Sequence, residues 1–336
     1  MSAIHPTEKW VNANRAILPT RLTHRFGLTC PIVLAPMDRV SGAALVNAVA
    51  NAGGFGLLGG GYADEEWLRT EQSRIDPHVA SHTGVGFITW TLSTAPHLLD
   101  VALDSSPGAV FLSFGDPAPY AGKIKANGAN LICQVGNIIH ASHALDVGAD
   151  ILVAQGTEGG GHGLGTRTTF TLVPEIADLI ASRGDDALLL AAGGVADGRG
   201  LAAALALGAD GAVIGTRYWA TRQAAVPTRA KQVITRRTGD DTVRQHLYDL
   251  LREKDWPARY SGRVLRNAFL DQWSTDRDNL DVAVLRTQFR DAVAAEDYEI
   301  ANVIVGEAIG LIHDVDDAGA LTRTITTDAA HILQRI

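Results

Sequence analysis

The feature that most constrains the fold is a repeating unit in the first two-thirds of the 336-residue chain. Each unit has a short apolar run, a glycine-rich or polar turn and an Ala/Leu-rich segment with helical periodicity. Unbroken apolar runs are typical of strands that are buried on both faces of a parallel sheet. There are eight such runs, Ile32–Ala35, Phe55–Leu58, Gly84–Thr89, Ala109–Phe114, Asn130–Val135, Ile151–Gln155, Leu188–Ala192 and Gly211–Gly215.

Eight strand–helix units in about 190 residues predict an α/β fold, the TIM (β/α)8 barrel. An open doubly wound parallel sheet is the alternative, but eight regular units favour closure. We assign residues 1–225 to the barrel and residues 226–336 to a helical appendage packed on it, a candidate lid. The appendage shows helical periodicity over Gln245–Lys254, Ser261–Trp273 and Val282–Ala294.

Charge and composition exclude several classes of protein. The net charge is −8 and there is no Lys/Arg block, which argues against a nucleic-acid partner. No apolar stretch approaches the length of a membrane span, and the first ten residues lack the pattern of a signal peptide. Cys30 and Cys133 are too few for a disulfide framework or a CxxC metal site. We therefore expect a cytoplasmic enzyme with a small-molecule substrate and no metal, and leave open whether it forms a homo-oligomer.

The ends of the seventh and eighth runs have the composition of a phosphate site. Gly193 and Gly194 follow the seventh run, and Gly215 and Thr216 follow the eighth. Barrels commonly bind phosphate at these two strand ends, where glycine lets backbone N–H groups approach the oxygens. The alternative is that these glycines only form turns, but their pairing on adjacent strands favours the phosphate site.

The most informative segment follows the sixth run and contains three consecutive glycines before His162. Gly160 and Gly161 would bring backbone against a flat ligand and place the imidazole beside it. An imidazole with a pKa near 6.5 suits a general acid or base at neutral pH. Gln155 and Gln134 are polar residues on apolar strands, and we expect both amides to face the barrel mouth.

The first run ends at Pro36 and Met37, where the chain could pass beneath an aromatic ring. Asp38 follows and is either catalytic or, as we favour, the cap of the next helix. Residues 54–59 match the GxGxxG pattern of dinucleotide sites, but they begin a strand instead of following one, so we reject that reading.

Three stretches resemble the FMN-dependent nitronate monooxygenases, formerly called 2-nitropropane dioxygenases. They are APMDRVSGAALVNAVANAGGFGLLGGG at 35–61, GADILVAQGTEGGGHG at 148–163 and AAGGVADGRGLAAALALGADGAVIGTRYWAT at 191–221. Members of this family are flavoproteins that hold FMN at the strand ends of a TIM barrel. The resemblance implies an oxidoreductase that uses FMN and O2.

The resemblance also implies roles for individual residues. Gln155 and Gly160 would contact the flavin, and His162 would be the catalytic base. Thr89 stands where many relatives present an asparagine to the flavin, and Glu158-Gly159-Gly160-Gly161-His162 departs from the more frequent E-A-G-G-H. The phosphate would be held by Gly194, Val213, Ile214, Gly215 and Thr216.

On this basis the expected activity is the oxidation of alkyl nitronates by O2 to a carbonyl compound and nitrite. Two alternatives stay open. One is an FMN-dependent NAD(P)H enoyl reductase of the same superfamily, which shares the APM, GGH and GG…GT signatures. The other is a non-redox barrel that binds a phosphorylated metabolite. Whether neutral nitroalkanes are accepted is also left open.

Overall fold

The computed structural model describes residues 17–275 and 281–335. The first ten residues, on which the expectation of no signal peptide rests, lie outside them. Eight parallel strands form one sheet in the order β1-β9-β8-β6-β5-β4-β3-β2. They are β1 (Ile32–Leu34), β2 (Gly56–Gly59), β3 (Thr83–Ile88), β4 (Ala109–Ser113), β5 (Asn130–Val135), β6 (Ile151–Gln155), β8 (Leu188–Ala192) and β9 (Gly211–Ile214).

Backbone hydrogen bonds join the two ends of this sheet. The N–H of Leu34 donates to the carbonyl of Phe55 at 2.8 Å, and the N–H of Phe55 donates to the carbonyl of Ile32 at 2.9 Å. The sheet therefore closes on itself, which confirms the predicted TIM barrel. Each predicted apolar run forms one of its strands.

Each barrel strand lies between two apolar layers, which explains why its sequence is a continuous hydrophobic run. One face of the sheet fills the barrel interior with side chains such as Phe55, Phe111 and Val153. The other face packs against the surrounding helices, with Leu45, Leu112 and Ile176 among the buried residues there. Since both faces are dry, a strand of this barrel has no polar alternation.

Helices lie around the barrel and in the segment that follows its last strand. They are α1 (Arg21–Phe26), α2 (Ala43–Asn51), α3 (Glu65–Ser73), α4 (Thr89–Leu92), α5 (His97–Leu103), α6 (Ala118–Ala126), α7 (Ile138–Asp146), α8 (Thr169–Arg183), α9 (Gly198–Ala206), α10 (Thr216–Trp219), α11 (Thr228–Ile234), α12 (Leu247–Leu251), α13 (Ala268–Thr275), α14 (Val282–Ala294) and α15 (Ala318–Leu333). Short 3₁₀ helices cover Pro77–His82, Gly239–Asp241 and Glu307–Leu311. None of the helices in the described ranges combines the length and apolarity that crossing a membrane requires.

A second, antiparallel sheet lies in the order β10-β11-β7. Its strands are β7 (Gly161–Gly163), β10 (Thr242–Gln245) and β11 (Ser261–Leu265). The expected helical periodicity over Ser261–Trp273 is therefore wrong for its first five residues. Strand partners on both sides, β10 and β7, override that local pattern.

The last helix, α15, packs on the barrel. It lies mainly against α9 and also against α2. The Tyr218 hydroxyl is 2.6 Å from the Thr322 hydroxyl, and a Cβ at Gly198 would overlap the side chain of Asp328. This helix fills the gap in the outer ring between α9 and α2. The division of the chain at residue 225 stays a prediction.

Close backbone approach at the barrel wall gives a stability prediction. A Cβ at Gly59 would overlap the backbone carbonyl oxygen of Met37, whereas Gly122, inside α6, has no heavy atom within 4 Å of the same position. We expect Gly59→Ala to lower stability by about 1–3 kcal/mol and Gly122→Ala to raise it by roughly 0.5–1 kcal/mol. Thermal unfolding of the two variants beside the wild type measures both. Equal melting temperatures for the two variants would contradict the prediction.

Candidate active site

A cavity of about 440 Å³ opens at the carboxyl ends of the barrel strands. In TIM-barrel enzymes this end carries the active site, and the volume lies in the range of cofactor and ligand pockets. Residues beyond the eighth barrel strand also contribute to its wall, including Arg252, Trp256 and Ile304. The cavity therefore lies between the strand ends and the segment that follows the eighth strand.

Most of the residues predicted for the site line this cavity. They are Pro36, Met37, Gln134, Gln155, Gly160, Gly161, His162, Gly193, Gly194, Val213, Gly215 and Thr216. The structure brings them together from the carboxyl ends of five barrel strands, β1, β5, β6, β8 and β9. What they bind stays a prediction at this point.

Thr89 and Ile214 are not among the cavity-lining residues. Side chains alternate between the two faces of a strand, so Val213 faces the cavity while Ile214 packs among the buried residues under the helices. Thr89 begins α4 and is 3% exposed, while Ile88 before it lines the cavity. The Thr89 hydroxyl has no hydrogen-bond partner in the described part of the chain. Neither side chain reaches the cavity from this position.

The loop after β8 has the backbone of an anion site. Gly193 and Gly194 have φ values of 104° and 77°, which disfavour any residue with a side chain. A Cβ at Gly193 would meet the Thr169 hydroxyl at 3.0 Å, so that side is closed. A Cβ at Gly194 would have no neighbour nearer than 3.7 Å. The backbone of Gly194 thus borders open space within the cavity.

The carboxylate of Glu158 also lines the cavity, but it is held by a helix terminus. It accepts hydrogen bonds from the Thr169 backbone N–H at 2.9 Å and from the Thr169 hydroxyl at 3.0 Å. Thr169 is the first residue of α8, where the helix dipole favours negative charge. Glu158 therefore fixes the glycine loop to α8.

A chain of side-chain amides supports the glycine loop from the barrel side. Gln134 Nε2 donates to Gln155 Oε1 at 2.9 Å, and Gln155 Nε2 donates to the backbone carbonyl of His162 at 3.0 Å. Both amides lie at the barrel mouth, as the sequence predicts. Their hydrogen bonds fix the position of the backbone that carries His162.

Two arginines hold the same loop from the other side. Arg244 Nη2 donates to the carbonyl of Thr157 at 2.9 Å, and Arg263 Nε donates to that carbonyl at 3.1 Å. Burial, with a smaller effect from the Arg263 charge, lowers the pKa of Arg244 to about 10. No local sequence signal marks these two arginines, because they lie on β10 and β11, far along the chain from the loop that they hold.

His162 lies on β7 and has a carboxylate partner. Its Nε2 is 2.9 Å from Asp249 Oδ2, and both side chains are 8% exposed. Burial lowers the pKa of His162, and this outweighs the opposing effect of Asp249. Nδ1 has no hydrogen-bond partner among the described residues. A neutral imidazole held at Nε2 by a carboxylate leaves Nδ1 free to accept a proton.

Aromatic rings form one wall of the cavity. The imidazole of His162 stacks on Trp256 with 3.4 Å between ring centroids and 4° between planes. Trp256 Nε1 donates to the Tyr62 hydroxyl at 2.7 Å. Trp256 lines the cavity, whereas two nearby aromatic residues of the appendage, Tyr260 and Trp273, do not. Tyr260 packs behind it on Phe114, and Trp273 packs on Phe269.

Asp38 does not cap the following helix, so the interpretation we favoured is wrong. That helix, α2, begins after Gly42, whose position has no side-chain cap. Asp38 instead lines the cavity and accepts a hydrogen bond from the backbone N–H of Tyr62. Burial raises its pKa despite the nearby positive charge of Arg252.

The fold and the site define a class: a TIM-barrel enzyme with a cofactor-sized cavity, two glycine loops and a buried histidine at the strand ends. Comparison with known proteins narrows the class. The family model for nitronate monooxygenase matches residues 80–328. A nitronate monooxygenase of Neurospora crassa is 32% identical over 374 aligned residues, which cover 99% of this chain and 97% of that protein.

The chain therefore belongs to the nitronate monooxygenase family and is a flavin-dependent oxidoreductase. Its relatives have diverse names. The FabK protein of Thermotoga maritima superposes with a TM-score of 0.81 at 29% identity, covering 95% of this chain and 98% of that one. A (3aS,4S,5R,7aS)-5-hydroxy-7a-methyl-1-oxo-octahydro-1H-indene-4-carboxyl-CoA dehydrogenase of Rhodococcus jostii is 36% identical over 226 residues, 67% of this chain and 62% of that protein. Family membership alone thus leaves the substrate to be argued from the site.

The His162–Asp249 pair gives a prediction about protonation. We expect the pKa of His162 to lie below its ordinary value of 6.5 in the native protein and to fall further in Asp249→Asn, because the carboxylate that favours imidazolium is lost. NMR titration of histidine-labelled protein measures both values. Asp255→Asn, which removes an exposed carboxylate nearby in sequence, serves as the control. A rise of the His162 pKa in Asp249→Asn would contradict the assigned pairing.

Proposed function

We propose that this protein uses FMN to oxidise alkyl nitronates with O2, giving a carbonyl compound and nitrite. The observation that carries the proposal is the buried, carboxylate-held imidazole of His162 in a cavity bordered by two phosphate-type glycine loops. Family membership supports a flavin, and the one-phosphate arrangement of the loops supports FMN in particular.

The residues present fit FMN by the space that they leave. The backbone of Gly194 borders open space where even a Cβ would be uncrowded, and Gly215 and Thr216 line the cavity from the adjacent strand. Gly160 lies so close to Gly306 that a side chain would collide with its backbone nitrogen. The close approach of Gly306 therefore requires glycine at position 160, which also lines the cavity. When bound, FMN supplies the electron transfer and the reaction with oxygen.

The protein itself orients the substrate and handles the proton. His162 is mostly neutral at neutral pH, so Nδ1 can remove the proton next to the nitro group of a nitroalkane. Asp249 stabilises the imidazolium that results. A substrate that is already a nitronate needs no deprotonation but carries a negative charge.

Arg252 supplies a positive charge for that anion. It lines the cavity, its guanidinium lies 5.6 Å from the ring centroid of Tyr62, and it forms no ion pair with any described residue. An unpaired cation beside a largely apolar aromatic wall favours a small organic anion. We propose that Arg252 attracts the nitronate and that Trp256, Tyr298 and Ile304, which line the cavity from beyond the eighth strand, limit the access of water to the site.

Cofactor binding is tested first by replacing Gly194 with Asp. A carboxylate beside the phosphate should weaken binding by like-charge repulsion. Gly194→Ala is the matched control, because it carries the same backbone strain at positive φ without the charge. We expect Gly194→Asp to lose most of its FMN on dialysis and Gly194→Ala to keep more. Visible absorbance and phosphate analysis measure the FMN content. If Gly194→Asp kept one FMN per chain, the phosphate would not lie at the Gly194 loop.

The role of His162 is tested by His162→Asn, which keeps a hydrogen-bonding group but no basic nitrogen. Turnover of a neutral nitroalkane should fall by about 10²–10⁴-fold, the usual effect of losing a general base. Turnover of the corresponding nitronate should fall much less, with FMN retained. Oxygen uptake measured with each substrate gives the ratio of nitroalkane turnover to nitronate turnover in the variant and in the wild type. His97→Asn, an exposed histidine paired with Glu65, is the control, and equal small losses for both substrates would make His162 structural.

The pH dependence follows from the direction of the pKa shift. A base must be neutral to act, so nitroalkane turnover should decline only as the pH falls through a value below 6.5. Nitronate turnover should not share that decline, because no deprotonation is required. The ratio of the two rates against pH isolates the histidine. If the turnover of both substrates declined over the same pH range, the decline would belong to a titrating group other than His162.

The enoyl reductase alternative is favoured by one observation, the likeness of the whole chain to FabK of Thermotoga maritima. The two functions separate in an anaerobic mixture of the flavin-loaded protein with NADPH. Rapid bleaching of the flavin absorbance indicates the reductase, whereas bleaching by a nitronate and not by NADPH indicates the proposed function. A purified protein without flavin absorbance would indicate the third alternative, a non-redox barrel.

A further inference from the structure

We infer that Tyr62 is a positioning residue for His162, and that it acts through the indole of Trp256. Tyr62 lies in the turn after β2 and lines the active-site cavity. The kinetic part of this inference rests on the proposed function, because it assigns Tyr62 a role in the same proton transfer. The geometric part concerns only how the imidazole is held.

The hydrogen bond to Asp249 fixes only one atom of the His162 ring. It holds Nε2 at 2.9 Å from the carboxylate, but by itself it lets the plane of the ring tilt about that contact. A general base must direct its free nitrogen at the proton that it removes, so the plane of the ring matters as much as the position of Nε2. The imidazole therefore needs a second contact that sets this plane.

The indole of Trp256 supplies the second contact. It lies parallel to the imidazole of His162, with 3.4 Å between ring centroids and 4° between planes. At this separation a large tilt of either ring would bring it into collision with the other. Locking by packing is the usual way in which a site holds the geometry of a reacting side chain. The direction of Nδ1 is thus set by the position of the indole.

A hydrogen bond from one neighbour fixes the indole in its place. Four aromatic rings lie around Trp256, with centroids 5.0–6.3 Å away and planes inclined at 75–89°, and they belong to Tyr62, Trp90, Phe114 and Tyr260. Edge-to-face contacts are weakly directional and let a ring slide. Trp256 Nε1 also donates to the Tyr62 hydroxyl at 2.7 Å, and no other group in the described part of the chain hydrogen-bonds the indole. Tyr62 therefore stops the indole from sliding.

Tyr62 is itself held by the barrel. The carboxylate of Asp38, shortly after the end of β1, accepts a hydrogen bond from the Tyr62 backbone N–H. Gly61 permits this approach, because a Cβ there would overlap Asp38 Oδ1. Lys254 Nζ lies 4.3 Å from the centroid of the Tyr62 ring, a cation–π contact from the segment that carries Trp256. The strand ends of β1 and β2 thus determine where the indole lies on the imidazole.

The Tyr62 hydroxyl has a second possible use, which a test has to separate from the first. An indole N–H can only donate, so the Tyr62 oxygen accepts, and its own proton has no acceptor among the described residues. That proton is available for a direct contact with the substrate. A direct contact would serve a nitroalkane and a nitronate alike, whereas positioning of His162 serves only the substrate that has to be deprotonated.

The first experiment uses Tyr62→Phe, which removes one hydroxyl and keeps the ring. In the flavin-loaded protein we expect kcat for a neutral nitroalkane to fall about tenfold, the effect of losing one hydrogen bond, and kcat for the nitronate to change by less than about twofold. Tyr120→Phe is the matched control, because Tyr120 does not line the active-site cavity. An equal loss for both substrates would overturn the inference in favour of a direct contact.

The same substitution in a His162→Asn background shows whether Tyr62 acts through His162. With no base left to position, Tyr62→Phe should change the residual nitroalkane turnover by less than about twofold, so the two effects should not add. A further tenfold loss in the double variant would show that the two residues act independently, and it would overturn the inference.

A spectroscopic measurement tests the geometry without any turnover. The carbon-bound ring protons of His162 lie over the indole face, so at a pH where both histidines are neutral they should resonate upfield of those of the exposed His97. In NMR spectra of histidine-labelled protein, Trp256→Leu should abolish this ring-current shift, Tyr62→Phe should reduce it, and Tyr120→Phe should leave it unchanged. An unchanged shift in Tyr62→Phe would overturn the inference. The predicted reduction in a protein that oxidises no nitronate would reject only the proposed reaction.

Discussion

The pairing of β7 with β11 is the interaction on which the site depends. His162 lies opposite Gly262 in this pair, so the glycine loop after β6 becomes an edge of the antiparallel sheet. The hydrogen-bonded ladder fixes the loop backbone, and β10 on the far side of β11 leads directly into α12, which carries Asp249. One strand pairing thus converts a glycine-rich turn into a rigid support that holds an imidazole against its carboxylate.

The barrel could be predicted from the sequence because its signals are local. Each strand is a continuous apolar run, and each strand end carries its own glycine or polar residue, so position along the chain already indicates position in the barrel. The same logic placed Gln155, His162 and Gly194 at one mouth. It failed at Thr89 and Ile214, because the alternation of side chains between the two faces of a strand decides which residue faces the cavity.

The partners of His162 could not be predicted because nothing local marks them. Asp249 lies 87 residues further along the chain than His162, and Trp256 lies further still. In the sequence, each has the local pattern of a surface residue in a short helix or turn. Arg244 and Arg263 likewise become loop-holding residues only when their strands pair. The sequence of β11 has helical periodicity, and only its pairing with β10 and β7 makes it a strand. Long-range pairing, rather than propensity, built this half of the site.

The position of α15 has a consequence for how the chain acquires its fold during synthesis. This helix covers α2 and α9, yet it is translated after every strand and after both of those helices. Until it emerges from the ribosome, the apolar sides of α2 and α9 lack their cover, and the ring of helices stays open at one place. Nascent chains expose such surfaces to aggregation and to chaperones. The barrel of this protein is therefore completed last at the point where its first and last strands meet.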